Sequence, residues 1–312
     1  MQKWIPARLI RQQEQLLCKW LYADDIPYTD PFFDETLAKC LSHPFNSKPF
    51  ACVSAISELE MLADAVESVE PTAFIFHISR CGSTLLSQML AIPSGSVSLA
   101  EVPFFDEILR SVSLTETEKD KALQAAIRLY GQKRKGNENQ LFIKLDSWHV
   151  FFYDTFRRLY PHVPCVFLYR DPYDVLQSHR KHRGMQAVPG VIEPAVFGFT
   201  PDAISHLDQD AYTALVLERY LQVYLELREK SGPSLWFNYA DGPANMIRGI
   251  AAMSGHHWSA EEMQQIGERS RYHSKHPAVA FKEILSHDQR PAYLGPATRY
   301  YEMLAQKLSS KA

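Results

Sequence analysis

The stretch Ala73-Phe74-Ile75-Phe76-His77-Ile78-Ser79-Arg80-Cys81-Gly82-Ser83-Thr84-Leu85-Leu86-Ser87-Gln88-Met89-Leu90 falls into three parts. A short apolar run of strand length comes first, a loop of small residues around Gly82 follows, and a helical pattern starts at Ser83. Strand, glycine loop and helix in that order make an anion-binding arrangement. Gly82 lets the backbone approach a ligand closely. The unpaired N–H groups of Ser83, Thr84 and Leu85 then face it, aided by the positive end of the helix dipole. Arg80 adds a planar charged fork suited to phosphate or sulfate oxygens. The same pattern also describes a tight turn whose Ser83 or Thr84 merely caps a helix. The lysine that precedes Ser/Thr in the nucleotide-triphosphate loop G-x-x-x-x-G-K-[ST] is missing, which weighs against a P-loop kinase.

Working outward, further apolar runs of strand length occur at Ser96–Leu99, Gln140–Leu145, Pro164–Tyr169 and Ser234–Asn238. Helical patterns separate them at Phe104–Ser111, Glu116–Tyr130, His149–Leu159, Tyr173–Arg183 and Asp210–Lys230. Continuous apolar strands alternating with helices predict an α/β fold: a P-loop-type three-layer sandwich, with a central parallel sheet and helices on both faces. Ligands in such sheets sit at the carboxyl ends of strands, which directs attention to the residues after Ile78, Leu145 and Tyr169. Residues 1–70 read as a helical N-terminal extension packed on the core, and 71–312 as the α/β domain. Leu9, Ile10, Leu16, Leu17, Trp20 and Leu21 recur at helical spacing, a turn falls at Tyr28–Pro31, and a second helix starts at Phe33.

The 312 residues are 46% hydrophobic and 22% charged, ordinary for a globular protein with a buried core. A formal net charge of −3 argues against nucleic acid as a partner. Cys18, Cys40, Cys52, Cys81 and Cys165 are scattered and odd in number, which fits a reducing compartment. The N-terminal residues lack the apolar run of a signal peptide, and no stretch approaches the roughly 18 apolar residues of a membrane span. The expectation is a cytoplasmic protein with no membrane partner.

A second anion grip lies in Phe167-Leu168-Tyr169-Arg170-Asp171-Pro172-Tyr173-Asp174-Val175-Leu176-Gln177-Ser178. Arg170 ends an apolar strand, and Pro172 suits the first turn of the next helix. Ser178 lies two turns on, on the side of the helix start, so Arg170 and Ser178 can converge on one anion. Read locally, the segment also fits an Asp171 helix cap beside a solvated arginine.

Taken together, the two segments resemble the sulfotransferase superfamily. Ser-Arg-Cys-Gly-Ser-Thr-Leu-Leu is similar to the 5′-phosphosulfate loop in the style of tyrosylprotein and bacterial carbohydrate sulfotransferases. Arg-Asp-Pro-x-Asp-Val-x-x-Ser is similar to the segment that holds the 3′-phosphate. The resemblance implies a donor, 3′-phosphoadenosine-5′-phosphosulfate (PAPS), and its product PAP. It places Arg80 on the sulfuryl group and leaving phosphate, with Cys81, Gly82, Ser83, Thr84 and Leu85 around them. Arg170 and Ser178 fall on the 3′-phosphate. Cys81 departs from the usual serine or small residue of the superfamily, keeping the size but losing a good hydroxyl donor. The implied activity is sulfuryl transfer to a hydroxyl of a small-molecule, carbohydrate or phenolic acceptor; the alternative is a non-catalytic nucleotide-binding module.

Such a transfer needs a base. Glu101 resembles the glutamate proposed for that role in tyrosylprotein and several bacterial carbohydrate sulfotransferases. His149 follows the next strand, near the position of the catalytic histidine of cytosolic sulfotransferases, and Asp146 is closer to that strand end. Val102, Phe104 and Phe105 offer an apolar wall that would raise the pKa of Glu101 toward working pH. Lys144 ends a strand beside the donor site, where a cation would stabilise the bridging oxygen. No metal is expected, since His256 and His257 are adjacent and lack a spaced partner. The basic run His179–Arg183 adds positive field or ends a helix. Lys275 is a weaker candidate phosphate ligand, and the flanks 1–70 and 270–312 are expected to shape the acceptor pocket.

Overall fold

The computed structural model describes residues 1–13, 15–47, 51–272 and 289–310. In chain order the elements are β1 (Trp4–Gln12), β2 (Gln15–Tyr22), α1 (Phe33–Leu41), β3 (Cys52–Ala55), α2 (Leu59–Asp64), β4 (Ala73–His77), α3 (Ser83–Leu90), β5 (Ser96–Ala100), α4 (Pro103–Leu109) and α5 (Glu116–Tyr130). There follow β6 (Gln140–Lys144), α6 (Tyr153–Leu159), β7 (Cys165–Tyr169), α7 (Pro172–Lys181), α8 (Pro201–Ile204), α9 (Gln209–Lys230), β8 (Ser234–Asn238), α10 (Gly242–Ser254), α11 (Ala260–Arg269) and α12 (Gly295–Ser309).

The five apolar runs form one sheet in the order β5-β6-β4-β7-β8, with every neighbouring pair parallel. Alternate residues of each strand feed two separate cores. Ala73, Ile75, Phe142, Val166 and Leu168 face Leu86, Met89 and Leu90 of α3 and Met246, Ile247 and Ile250 of α10. Phe74, Phe76, Ile143 and Phe167 face the other way, toward Tyr153 and Phe156 of α6 and Tyr220 and Tyr224 of α9. On that face Phe167 stacks on Phe76 and on Trp236, with ring centroids 5.3 and 4.1 Å away. The three-layer α/β architecture read from the sequence is therefore the observed one, because strands apolar on both sides require cover on both sides.

The first 22 residues differ from expectation. They form an antiparallel hairpin, β1 with β2, extended by β3. The apparent helical repeat has a simple origin: Leu9 lies opposite Cys18 and Ile10 opposite Leu17, so residues seven to nine apart are neighbours across the hairpin. Pairing of Gln12 with Gln15 leaves a two-residue connection, and Gln13 takes the left-handed φ of 56° that such turns need. No Asn-Gly or Gly pair marks that turn in the sequence, so nothing local signals it. Burial at Ile5, Ala7, Cys18 and Trp20 follows strand alternation. The expected helix from Phe33 is α1, and a helix follows at Leu59–Asp64.

Polar contacts tie the hairpin to the α/β core. Gln132 Nε2 donates to the Trp4 carbonyl at 2.9 Å, Arg8 pairs with Glu107 of α4, and the buried Tyr130 hydroxyl donates to the Pro6 carbonyl. Among the described residues no helix is long and apolar enough to cross a membrane. Tyr130→Phe removes the only hydroxyl in that last contact and leaves a buried carbonyl unmet. It should lower unfolding free energy by about 1–3 kcal/mol in a denaturant titration.

Candidate active site

All five strands of the parallel sheet point their carboxyl ends at one cleft of about 1290 Å³. Each end contributes to its wall. β4 runs into His77 and the loop Ser79–Gly82, β5 into Glu101, β6 into Asp146, β7 into Arg170 and β8 into Tyr239. This is where the topology of an open parallel sheet places a ligand.

In the loop, Ser79 and Arg80 have φ of 73° and 51°, and Gly82 has φ of 81° as the residue before α3. The tight reversal turns the first amides of α3 toward the cleft. Leu86 N–H is bonded to the Gly82 carbonyl at 3.0 Å, so Ser83, Thr84 and Leu85, all on the cleft wall, precede the intrahelical ladder. Glycine at position 82 answers a second constraint: a Cβ there would lie 3.2 Å from the Tyr239 ring. Cys81 directs its thiol inward, toward the Leu168 carbonyl at 3.6 Å, and burial pushes its pKa up to about 12. The hydroxyl that the sequence lacks at this position would therefore face the core. Arg80 lines the cleft with one guanidinium nitrogen on the His182 carbonyl.

Arg170 lies across the cleft floor. It donates to the Arg80 carbonyl at 3.2 Å, approaches Asp174 at 3.5 Å, and stacks over Tyr239 at 4.2 Å from the ring centroid. Ser178 and Gln177 line the same wall, two turns along α7. The basic run divides. Lys181, His182 and Arg183 line the cleft, Arg180 and Arg183 both pair with Asp210, and His179 is buried.

Glu101 stands at the end of β5 in the left-handed region, φ 58°, with its N–H bonded to the Lys144 carbonyl at 2.8 Å. Its carboxylate is ion-paired with Lys144, whose side chain has no exposed surface, and lies 3.3 Å from His77 Nε2. His77 Nδ1 accepts the Ser79 N–H, so the ring proton is on Nε2, shared between the Leu145 carbonyl at 2.9 Å and Glu101. Burial by itself would raise the Glu101 pKa, but the Lys144 ammonium and the His77 ring outweigh it and hold the carboxyl well below the usual range. The expected upward shift from an apolar wall is thus reversed, because a buried cation needs that negative charge. Phe104 and Phe105 are fully inside the core, and the Phe32 ring centroid lies 5.5 Å from Lys144 Nζ. Lys144 lies behind Glu101 and is absent from the cleft wall.

The two other candidates for the base occupy a buried network. His149 Nδ1 accepts the Asp146 N–H at 3.3 Å, and its Nε2 donates to Asp106 Oδ1 at 3.1 Å. Trp148 Nε1 donates to the same oxygen at 2.6 Å, and Arg110 holds the other carboxylate oxygen at 2.9 Å. His149 therefore sits behind Asp106 and Trp148, both of which line the cleft. Burial, then Glu101 and Asp106, push the Asp146 pKa well above the usual aspartate range, which favours its protonated form. Asp106, Asp146 and His149 bring potential ligand atoms within 4.8 Å of one another, and hydrogen bonds already join Asp106 to His149.

Several wall residues were not singled out in the sequence: Ser79, Asp106, Tyr239, and from the N-terminal region Arg8, Phe32, Asp34 and Glu35. Their position depends on pairings distant in sequence. Lys275 lies outside the described residues.

No protein-family model matches the chain, and no curated sequence is similar to it. Solved structures similar to it include sulfotransferases. The sulfotransferase domain of the Synechococcus PCC 7002 olefin synthase is 20% identical, with 77% of this chain and 96% of that one covered at a TM-score of 0.46. The sulfotransferase domain from the curacin biosynthetic pathway is 17% identical, covering 78% and 99% at 0.45. Sulfotransferase STF9 from Mycobacterium avium is 14% identical, covering 80% and 78% at 0.45.

Glu101→Gln strips the buried Lys144 of its counter-ion and should cost about 3–5 kcal/mol of stability in urea unfolding. Adding Lys144→Met should restore most of it. Because the folded pKa of Glu101 is depressed, its contribution is full above the ordinary value near about 4.3 and fades as pH falls through the lowered one.

Proposed function

We propose that this protein is a PAPS-dependent sulfotransferase that moves the sulfuryl group to a hydroxyl of a small-molecule, carbohydrate or phenolic acceptor. The observation that carries this reading is the convergence on one cleft of two anion grips and an ionised carboxylate. The loop from Ser79 to Leu85 forms one grip, and Arg170 with Ser178 forms the other. Glu101 lies on the same wall. A nucleotide carrying a 5′-phosphosulfate and a 3′-phosphate has anions at both ends and matches such a pair of grips.

In the proposed step, a bond forms from the acceptor oxygen to sulfur as the bond from sulfur to the bridging phosphate oxygen breaks. Glu101 receives the acceptor proton, leaving a sulfate ester and PAP. Arg80 and the amides of Ser83, Thr84 and Leu85 stabilise the charge that gathers on the leaving phosphate. Arg170 and Ser178 hold the far end of the nucleotide and fix its register against the loop. Lys144 keeps Glu101 ionised and aimed at the expense of its basicity, acting through that carboxylate. Glu101 is preferred over His149, which Asp106 and Trp148 separate from the cleft.

The reading is tested by thermal shift with PAP, PAPS, ATP and ADP. PAP and PAPS should raise the melting temperature. Stabilisation by ATP with Mg²⁺ and none by PAP would indicate a kinase, and PAP binding without turnover over a broad acceptor screen would indicate a binding module. Arg170→Ala should weaken PAP binding by roughly 1.5–3 kcal/mol in calorimetry.

A further inference from the structure

Ser79 is buried, stands at a left-handed φ of 73°, and lines the cleft immediately before Arg80. Its backbone N–H is already spent on His77 Nδ1 at 3.1 Å. Its hydroxyl oxygen meets two side chains, His179 Nε2 at 3.2 Å and Gln186 Nε2 at 2.6 Å. The direction of both contacts is set by their surroundings. His179 Nδ1 accepts the Gly184 N–H at 3.2 Å, so in the neutral ring the proton is on Nε2 and is donated to Ser79. The Gln186 amide nitrogen is a donor only.

A serine oxygen has two lone pairs and one proton. With both lone pairs taken by His179 and Gln186, the hydroxyl can act toward a third group only as a donor. The arrangement also excludes a nucleophilic serine, since the histidine nitrogen facing Ser79 already carries a proton and cannot accept another.

We propose that Ser79 is a dedicated hydrogen-bond donor to an anionic oxygen at the phosphosulfate end of the ligand, a binding residue additional to the amides of α3. This rests on the donor reading given above. His179 and Gln186 are then positioning residues that orient the Ser79 proton into the cleft. His179 directly follows Ser178 on α7, so the same contact ties the glycine loop to the helix that carries the second grip. The site selects for an oxygen that only accepts, as on a phosphate or sulfuryl group, and disfavours a ligand N–H or O–H donor at that point.

Two variants separate loss of the hydroxyl from damage to the loop. Ser79→Ala keeps the Cβ, and Ser79→Gly removes the hydroxyl while relieving the left-handed backbone. Binding of PAP, PAPS and adenosine 3′-monophosphate, which lacks the 5′ group, is measured by calorimetry for the full chain and both variants. Both variants should bind PAP and PAPS about tenfold or more weakly, the scale of a hydrogen bond to a charged group. Adenosine 3′-monophosphate should bind all three proteins alike. Unchanged PAP and PAPS affinity in both variants overturns the role of Ser79 and leaves the donor assignment standing. An equal loss for adenosine 3′-monophosphate also overturns it, by showing that Ser79 only supports the loop. Failure of the unaltered chain to bind PAP or PAPS removes the donor assignment itself, and the Ser79 proposal with it.

Discussion

Five strands running in the same direction impose the constraint on which the rest depends. A parallel sheet brings every strand end to one edge, where the pleated ladder stops and carbonyls and amides turn away. Here that edge carries His77, Glu101, Asp146, Arg170 and Tyr239 around a single cleft. None of these side chains is adjacent to another in sequence. The register of β4 against β6 and β7, and of β5 against β6, sets their separations more firmly than any loop can.

Charge at that edge is arranged around one buried cation. Lys144 is the last residue of β6 and its side chain is wholly enclosed, so an anion has to meet it inside the protein. Glu101 does so from the neighbouring strand, and the cost appears in its left-handed backbone. Ser79 and Arg80 share that conformation. Three non-glycine residues with positive φ around one cleft, each costing of order 1–3 kcal/mol, mark a place where geometry is held against local preference by its surroundings. The carboxylate next to Lys144 is kept ionised, and the one beneath it, Asp146, is pushed toward its protonated form by burial and by its charged neighbours. Two acids of similar intrinsic strength are thereby driven apart by environment alone.

The N-terminal hairpin belongs to the same economy of burial. Ile5, Ala7, Cys18 and Trp20 join the core beneath α4 and α5, while Arg8, Phe32, Asp34 and Glu35 extend the cleft on the side away from Arg170. The N-terminal region thus contributes four side chains to the cleft wall.

What the sequence determined by itself was everything carried by local periodicity and local chemistry. The apolar runs at β4 to β8, the glycine loop opening α3, and the places of Arg170 after β7 and Ser178 on α7 were legible because apolar runs of strand length, glycine freedom and helix spacing act over a few residues. Only the tertiary structure decided the rest. A hairpin whose cross-strand neighbours mimic a helical repeat cannot be told from a helix without its turn. The Glu101 pKa turned on a lysine from another strand, Cys81 on which way its thiol points, and His149 on Asp106 and Trp148 standing between it and the cleft. The proposed hydrogen-bond-donor role of Ser79 depends on His179 of α7 and Gln186 of the turn after it. These are contacts across long sequence separations, and packing rather than propensity selects them.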